Sequence, residues 1–240
     1  MRVAFDLDGV LADLHGAYSR TARELFPGLD AGLLASSKLE SPPSPNDDKS
    51  DDKEESEVPQ VDMAPTLTRQ QNRAVWHRLS ETPNFWETLD EIEPGAIRRL
   101  SDLALERRWD VIFLTSRPYA PGHTLQRQTQ RWLERCGFTL PSVFIVPQSR
   151  GQIASALELD VVIDDRPEGC LDVVLESKAR GILVWRGDAA RVPGSAKRLG
   201  IGVVSTVAEC LDVLVEADSA KDGDGLMGRL KRLLGLRSNK

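Results

Sequence analysis

The chain has 240 residues, of which 40% are hydrophobic and 28% charged, an ordinary globular composition that excludes a wholly disordered or fibrous protein. This length suffices for one sizeable α/β domain, or for a core with a small accessory domain. No apolar run approaches the roughly 18 residues that a membrane span needs, and the N-terminus does not resemble a signal peptide. Three scattered cysteines predict neither a disulfide framework nor a zinc site, so we expect a cytoplasmic protein.

The net charge of -6 argues against nucleic acid as a partner, but the charge is unevenly distributed. Seven acidic residues and two lysines lie between Asp47 and Glu57, inside a segment rich in Ser, Pro, Asp and Glu at about 36–64. This segment has few apolar residues to bury, so we predict a disordered acidic insert. The last residues, 226–240, contain five basic side chains and no acidic one.

Short apolar runs alternate with helical patterns along the chain. Because the runs are rich in Val, Ile and Phe and are bounded by polar residues, they predict buried parallel strands. The predicted strands are 3–5, 111–114, 143–146, 161–163, 182–185 and 203–204, and the helices between them include 95–107, 124–136 and 167–179. We therefore predict an α/β fold, a Rossmann-like parallel sheet with helices on both faces.

The interval 14–93 interrupts this alternation. It begins with a helical pattern through Tyr18, Ala22 and Leu25, contains the acidic insert, and continues with a second helical pattern over 67–79. Thr66 or Thr68 is a suitable N-cap for the second helix. We predict a core formed by 1–13 and 94–220, a helical cap at 14–93, and a separate basic tail at 221–240.

Polar residues follow three of the predicted strands, at the strand ends where parallel sheets bind their ligands. These residues are Asp6-Leu7-Asp8-Gly9, Thr115-Ser116-Arg117 and Asp164-Asp165-Arg166. Carboxylates gathered at one edge repel each other unless a cation lies among them, and hard oxygen ligands of this kind favour Mg²⁺. Hydroxyl groups and arginines beside such a site suit phosphate oxygens. The sequence thus predicts metal-assisted phosphoryl transfer.

These motifs resemble those of the haloacid dehalogenase-like (HAD) phosphohydrolase superfamily: DLDGVLAD its first motif, the apolar strand with TS its second, and IDD its fourth. The resemblance implies that Asp6 is the nucleophile and Asp8 the general acid and base. It implies that Mg²⁺ is held by Asp6, the backbone carbonyl of Asp8, Asp165 and also Asp164. Thr115 and Ser116 would bind the phosphoryl group, and Gly9 would allow the sharp turn after the strand.

The third motif departs from the family pattern. The family has a lysine there, but no lysine occurs between Lys53 and Lys178. Arg150, which opens a predicted helix, is the expected replacement: it keeps the charge, although its guanidinium is bulkier. Two hypotheses remain open, a phosphohydrolase of small phosphate monoesters and a catalytically weakened binding or regulatory module on the same fold.

The segment from Asn84 to Ala96, together with IDDRPEGC, is similar to the 5'(3')-deoxyribonucleotidase-like branch of the superfamily. In that branch, cap aromatics stack on the base of the substrate. By this resemblance Trp76, Phe85 and Trp86 would bind a nucleoside monophosphate. The alternative is that the three rings only pack the cap and core.

The basic tail has the pattern of an amphipathic helix. Leu226, Met227, Leu230, Leu233 and Leu234 share one helical face, and the basic residues lie elsewhere. This pattern is compatible with contact to anionic lipid or a partner. Two glycines and the lack of aromatic residues weigh against the membrane, and the remaining alternative is docking on the protein's own domain.

Overall fold

The computed structural model describes residues 1–29, 67–146 and 149–219. The predicted acidic insert at about 36–64 and the basic tail at 221–240 lie outside these residues. Six strands are present: β1 (Arg2–Asp6), β2 (Asp110–Thr115), β3 (Ser142–Ile145), β4 (Val161–Asp164), β5 (Arg180–Val184) and β6 (Gly202–Val204). Each predicted strand is confirmed, with its ends shifted by a few residues at most.

The strands form one parallel sheet in the order β3-β2-β1-β4-β5-β6. The central strand β1 is buried from Val3 onward, and β4 is buried along its whole length. A strand buried on both faces reads as a continuous apolar run rather than an alternating one, which is why the sequence pattern identified these strands. The predicted Rossmann-like α/β fold is confirmed.

The helices follow the predicted alternation with the strands. They are α1 (Leu14–Leu25), α2 (Arg69–Glu81), α3 (Ala96–Arg107), α4 (Leu125–Arg135), α5 (Arg150–Ala156), α6 (Pro167–Glu176), α7 (Gly194–Arg198) and α8 (Val207–Ser219), with 3-10 turns at Phe85–Glu87 and Ala189–Arg191. The predicted Thr68 is the N-cap of helix α2: its hydroxyl accepts from the Gln71 amide, while the Gln71 side chain accepts from the Thr68 amide. This capping box satisfies two otherwise unpaired donors.

The described chain divides into two compact units. The larger unit comprises residues 1–13, 86–117 and the described residues from 125 onward, and contains the whole sheet. Its interior includes a cluster in which Ala4, Leu114 and Val162 of the strands pack with Ala154 of α5 and Val173 of α6. Segment 86–93 belongs here rather than to the predicted cap, because the Ile92 amide donates to Leu11 and the Trp132 indole donates to Leu89.

The smaller unit comprises the described residues of 14–85 together with 118–124. Its helices α1 and α2 are joined by a buried hydrogen bond from the Tyr18 hydroxyl to the Asn72 side chain, 2.5 Å long. Segment 118–124 joins this unit through Asn84, whose amide donates to Pro121 and whose side-chain oxygen accepts from the His123 amide. The predicted cap did not include this segment.

Among the described helices, none combines the length and apolar character that crossing a membrane requires. The three cysteines, Cys136, Cys170 and Cys210, are free thiols. Burial raises the pKa of Cys136 to about 11, which leaves its thiol protonated near neutral pH and unsuited to nucleophilic chemistry.

Candidate active site

The sheet topology brings the predicted site residues to one edge. Strands β2, β1 and β4 are neighbours, and Asp6, Thr115 and Asp164 are their last residues. Three carboxylates meet there, because Asp6, Asp164 and Asp165 each offer an oxygen atom within 4.8 Å of the other two. The side chains of Asp6 and Asp164 are almost completely inaccessible to solvent.

Two glycines allow the chain to approach these aspartates closely. Gly9 has a φ of +88°, and a Cβ placed there would lie 2.1 Å from an Asp165 carboxylate oxygen. At Gly169, on helix α6, a Cβ would lie 2.3 Å from an Asp164 oxygen. Any side chain at these positions would displace a carboxylate, so both glycines shape the cluster sterically.

Arg150 supplies the positive charge beside Asp6. Its Nη2 donates to Asp6, and its Nε lies 2.8 Å from Asp164 Oδ2. The carboxylates of Asp6 and Asp164 raise the pKa of Arg150, although burial alone would lower it, so the guanidinium stays charged. The remaining nitrogen, Nη1, is buried and has no hydrogen-bond partner among the described residues. It is the donor that remains available to a ligand.

Asp8 is held separately from the cluster by Arg117. The Arg117 Nε lies 2.9 Å from Asp8 Oδ2, and its Nη2 lies 2.7 Å from Asp8 Oδ1, a two-pronged pairing. Thr115 donates to the same carboxylate at 3.2 Å. Sequence reasoning placed Thr115 on the phosphoryl group; in the structure its hydroxyl is buried against Asp8, and neighbouring Ser116 is exposed.

The Arg117 side chain is fully buried, whereas Asp8 keeps 18% of its side chain exposed. The guanidinium lies 4.7 Å from the ring centre of Trp86 and 5.8 Å from that of Trp132, and its Nη1 donates to the Thr129 hydroxyl at 3.0 Å. Aromatic faces stabilise a desolvated cation. Arg117 is therefore a fixed internal support for Asp8, a role that sequence reasoning missed.

The three aromatic residues predicted to bind substrate are buried: Trp86 is 1% exposed, and Trp76 and Phe85 are 5% each. Trp86 faces Arg117, and within the smaller unit Trp76 packs against Tyr18 with ring centres 5.7 Å apart. A buried ring offers no free face to a base. Packing covers the three rings in this structure, and their contact with a substrate base stays a prediction.

A second arginine holds the turn that follows Asp8. Arg186, which follows β5, donates to the backbone carbonyls of Gly9 and Val10 at 2.6 and 3.1 Å and pairs with Glu93 at 2.7 Å. Glu93 also accepts from the Val207 and Ala208 amides at the start of α8. Although partial burial opposes it, these amides and Arg186 lower the pKa of Glu93. The network ties the turn after Asp8 to elements that are distant in sequence, and no sequence motif marks it.

The cluster fits a divalent cation. Burial raises the pKa of Asp6 and of Asp164, and burial together with the neighbouring Asp164 raises the pKa of Asp165 to about 7. One Asp165 oxygen is buried without a hydrogen-bond partner in the described chain, and the Arg150 guanidinium pairs with Asp6 and Asp164. Hard, crowded carboxylate oxygens with unused lone pairs are suitable ligands for Mg²⁺. Because Arg117 and Thr115 occupy the Asp8 carboxylate, the implied ligand there remains its backbone carbonyl.

This charge crowding predicts how stability depends on pH. A carboxylic acid whose pKa is raised on folding binds more protons in the folded than in the unfolded state, so the contribution of Asp165 lowers the stability of the metal-free protein as pH rises from about 4 to 7. We expect metal-free Asp165→Asn to be at least about 1 kcal/mol more stable than wild type at pH 7.5, which is about 2–4 °C in Tm. The gain should disappear at pH 4, and differential scanning calorimetry measures it.

Excess Mg²⁺ should raise the Tm of the wild-type protein more at pH 7.5 than at pH 5, because protons compete for the same oxygens. The Asp165→Asn variant serves as the control and should respond less to Mg²⁺. An equal Mg²⁺ effect at both pH values would contradict the assignment of the cluster.

Known structures resemble this chain over most of its length. A HAD family hydrolase from Deinococcus radiodurans R1, solved with bound phosphate and sodium, aligns with 92% of this chain and 98% of its own at 17% identity, with a TM-score of 0.56. A haloacid dehalogenase-like family protein from Streptococcus pneumoniae covers 88% and 96% at 14% identity, TM-score 0.47. A phosphonoacetaldehyde hydrolase-like protein from Oleispira antarctica covers 99% and 95% at 12% identity, TM-score 0.47.

The sequence matches no family model, and the comparison with curated proteins finds no match. At such low identity, the likeness to the Deinococcus hydrolase establishes architecture alone. Its near-complete coverage of both chains agrees with the parallel sheet described above. The protein therefore has the α/β fold of the HAD family hydrolases.

Proposed function

We propose that this protein is a Mg²⁺-dependent phosphohydrolase of small phosphate monoesters that acts through an aspartyl-phosphate on Asp6. The observation that carries the proposal is the cluster of Asp6, Asp164 and Asp165 within 4.8 Å, with Arg150 paired to Asp6. A nucleophile, a cation-binding set and a fixed positive charge thus lie together at the ligand-binding edge of a parallel sheet. The HAD hydrolase fold and its phosphate-bound relative support the same reaction class.

Each residue has a defined task in the proposed reaction. A carboxylate oxygen of Asp6 attacks phosphorus and displaces the alcohol, whose oxygen receives a proton from Asp8. Asp8 then removes a proton from water, and the resulting attack on phosphorus releases phosphate and restores Asp6. Bound Mg²⁺ would neutralise charge on the phosphoryl oxygens, and Arg150 adds to this through its unpartnered Nη1.

The substrate class is proposed at the level of the phosphate ester. A nucleoside monophosphate remains the finer candidate by resemblance to the deoxyribonucleotidase-like branch, but the rings expected to stack on a base are buried. Nucleoside monophosphates therefore belong in a substrate panel beside sugar phosphates and glycerol phosphate. We place the reaction in the cytoplasm, in keeping with three free thiols.

The direct test is hydrolysis of p-nitrophenyl phosphate, followed by phosphate release from the panel, with Mg²⁺ and with EDTA. We expect turnover with Mg²⁺ and its loss in EDTA. A folded protein that hydrolyses none of these compounds with Mg²⁺ would refute the phosphohydrolase. That result would favour the second hypothesis, a binding or regulatory module on the same fold.

The exchange of lysine for arginine at the third motif gives a separate prediction. Arg150→Ala should lower kcat about 10²–10³-fold, the usual cost of removing one donor that stabilises transition-state charge. Arg150→Lys should keep activity within about tenfold of wild type, because it keeps the charge but lacks the second prong. Initial rates with p-nitrophenyl phosphate measure both.

The exposed Arg166, also at this sheet edge, provides the comparison variant. Arg166→Ala should retain most of the wild-type rate, because alanine keeps the backbone amide that donates to Asp164, and the exposed Arg166 guanidinium acts on Asp164 and Asp165 through a charge that solvent screens. An unchanged rate in Arg150→Ala together with a sharp loss in Arg166→Ala would assign the phosphate-side charge to Arg166 instead.

A further inference from the structure

A groove of about 600 Å³ opens at the amino ends of β1, β2 and β3, away from the edge that carries Asp6. We call it the amino-edge groove. All of it belongs to the larger unit. Its apolar lining consists of Leu105, Trp109, Ile112, Phe138, Leu140 and Leu157. The proposed phosphohydrolase reaction makes no use of this surface.

Two leucines on the groove are unusually exposed. Leu105 is 77% exposed and Leu140 83%, although large aliphatic side chains gain free energy from burial. A scattered exposed leucine needs no explanation, but two that line one groove beside a tryptophan form a patch. The amino-edge groove therefore has the character of a surface that another apolar element covers.

The described chain ends beside this groove. Helix α8 finishes at Ser219, whose hydroxyl accepts from Arg107 at 2.5 Å. The preceding Asp218 accepts from the indole nitrogen of Trp109 at 3.0 Å, and Trp109 lines the groove. The described chain thus ends at the wall of the groove, and covalent linkage gives the sequence that follows a high effective concentration there.

The sequence after Ser219 has apolar spacing and charge that complement the amino-edge groove. Leu226, Leu230 and Leu233 recur at helical spacing. Six residues lie between Ser219 and Leu226, so the seven steps of chain span at most about 25 Å. The groove's charged lining comprises Asp110 and Glu158, with side chains 71% and 84% exposed, and Arg2, which pairs with both. Two carboxylates against one guanidinium leave an acidic surplus that suits a segment with five basic residues and no acidic one.

We propose that the C-terminal segment 226–234 docks its leucine face in the amino-edge groove of the same chain. The proximity of Ser219, the exposed Leu105 and Leu140, and the opposite charges carry this inference. It commits to one occupant, an intramolecular one, and it is independent of the chemistry at Asp6.

Hydrogen exchange on the full chain tests the docking. The variant Leu230→Asp/Leu233→Asp removes the apolar face, and peptides covering 101–112 and 138–142 should then exchange about five- to tenfold faster than in wild type. Ser238→Asp/Asn239→Asp adds the same charge without touching the leucines and should leave these peptides nearly unchanged. In the groove, Leu105→Asp/Leu140→Asp should accelerate exchange over 226–234, whereas Leu175→Asp, at a leucine 70% exposed on α6, should not.

A photo-crosslinking residue at position 230 supplies a direct readout. We expect crosslinks to segments 101–112 or 138–142 within one chain, at a yield independent of protein concentration. Equal exchange in wild type and Leu230→Asp/Leu233→Asp would overturn the proposal. Crosslinks that form only between chains and are lost on dilution would overturn the proposal in favour of a second copy of the chain. Hydrogen-exchange protection of segment 226–234 that appears only with anionic vesicles would overturn it in favour of a lipid surface.

Discussion

Replacing Asp6 with asparagine should abolish turnover, lowering kcat by about 10⁴-fold or more, as expected when a covalent nucleophile is lost. An amide oxygen is a poor nucleophile toward phosphorus, and the substitution also removes one of the three carboxylates that would hold Mg²⁺. The protein should remain folded, because Asp6 and Asn have nearly the same shape and burial raises the pKa of Asp6, which shows that its charge is costly there. Initial rates and Tm together measure the result.

The control is Asp102→Asn, the same chemical change at an exposed position of helix α3, which should leave kcat unaltered. Retention of Mg²⁺-dependent activity near the wild-type level by Asp6→Asn would overturn the mechanism assigned to the site. If Asp6→Asn loses activity because it unfolds, the Tm measurement will show it. Asp6→Glu then serves as the second variant, because it keeps the charge but misplaces the attacking oxygen, and it should also be inactive.

Removing Arg117 should impair both the stability and the chemistry of the protein. Arg117→Met keeps an apolar side chain beside Trp86 and Trp132 but leaves Asp8 without its charged partner. Breaking a buried ion pair from one side costs about 3–5 kcal/mol, and here Asp8 is partly exposed, so we expect the lower end of that range. We expect kcat to fall about 100-fold, the scale of general acid–base help, because Asp8 loses the orientation that Arg117 imposes.

A double-mutant cycle separates positioning from a direct effect of Arg117 on substrate. Asp8→Asn alone should lower kcat by roughly two or more orders of magnitude. If Arg117 acts through Asp8, adding Arg117→Met to Asp8→Asn should lower kcat little further. Multiplicative losses would show that Arg117 acts on the reaction independently, and Arg117→Lys, which keeps the charge but not the two-pronged fork, should fall between wild type and Arg117→Met.

The site residues that could be predicted from the sequence are those that follow the strands of the parallel sheet. Buried strands read as apolar runs, and the residue after each run lies at the edge where ligands bind. The sequence therefore allowed a set of polar residues to be grouped: Asp6, Asp8, Thr115, Asp164 and Asp165. Arg150 was predicted from the resemblance to the HAD family, as the replacement for the lysine of its third motif. Gly9 was recognised as a turn residue, but only the structure shows that Asp165 occupies the space of its absent side chain.

The sequence did not predict in which direction the Arg117 side chain points. The triplet Thr115-Ser116-Arg117 is compatible with an arginine that reaches a phosphate, and only packing decided otherwise. The rings of Trp86 and Trp132 and the Thr129 hydroxyl come from other elements, and together they hold the guanidinium inside the fold. The same holds for Arg186 and Glu93, whose partners at Gly9 and Val207 lie far away in sequence.

The sequence by itself determined the α/β fold, the strand positions and the carboxylate-rich edge, because local apolar patterns and strand ends encode them. Tertiary structure alone decided which aromatic rings are covered, that segment 118–124 joins the smaller unit, and that Arg117 pairs with Asp8. The physical reason is that burial and pairing depend on contacts between residues distant in sequence. Such contacts leave no period or motif in the chain, so they become visible only when the sheet and helices are assembled.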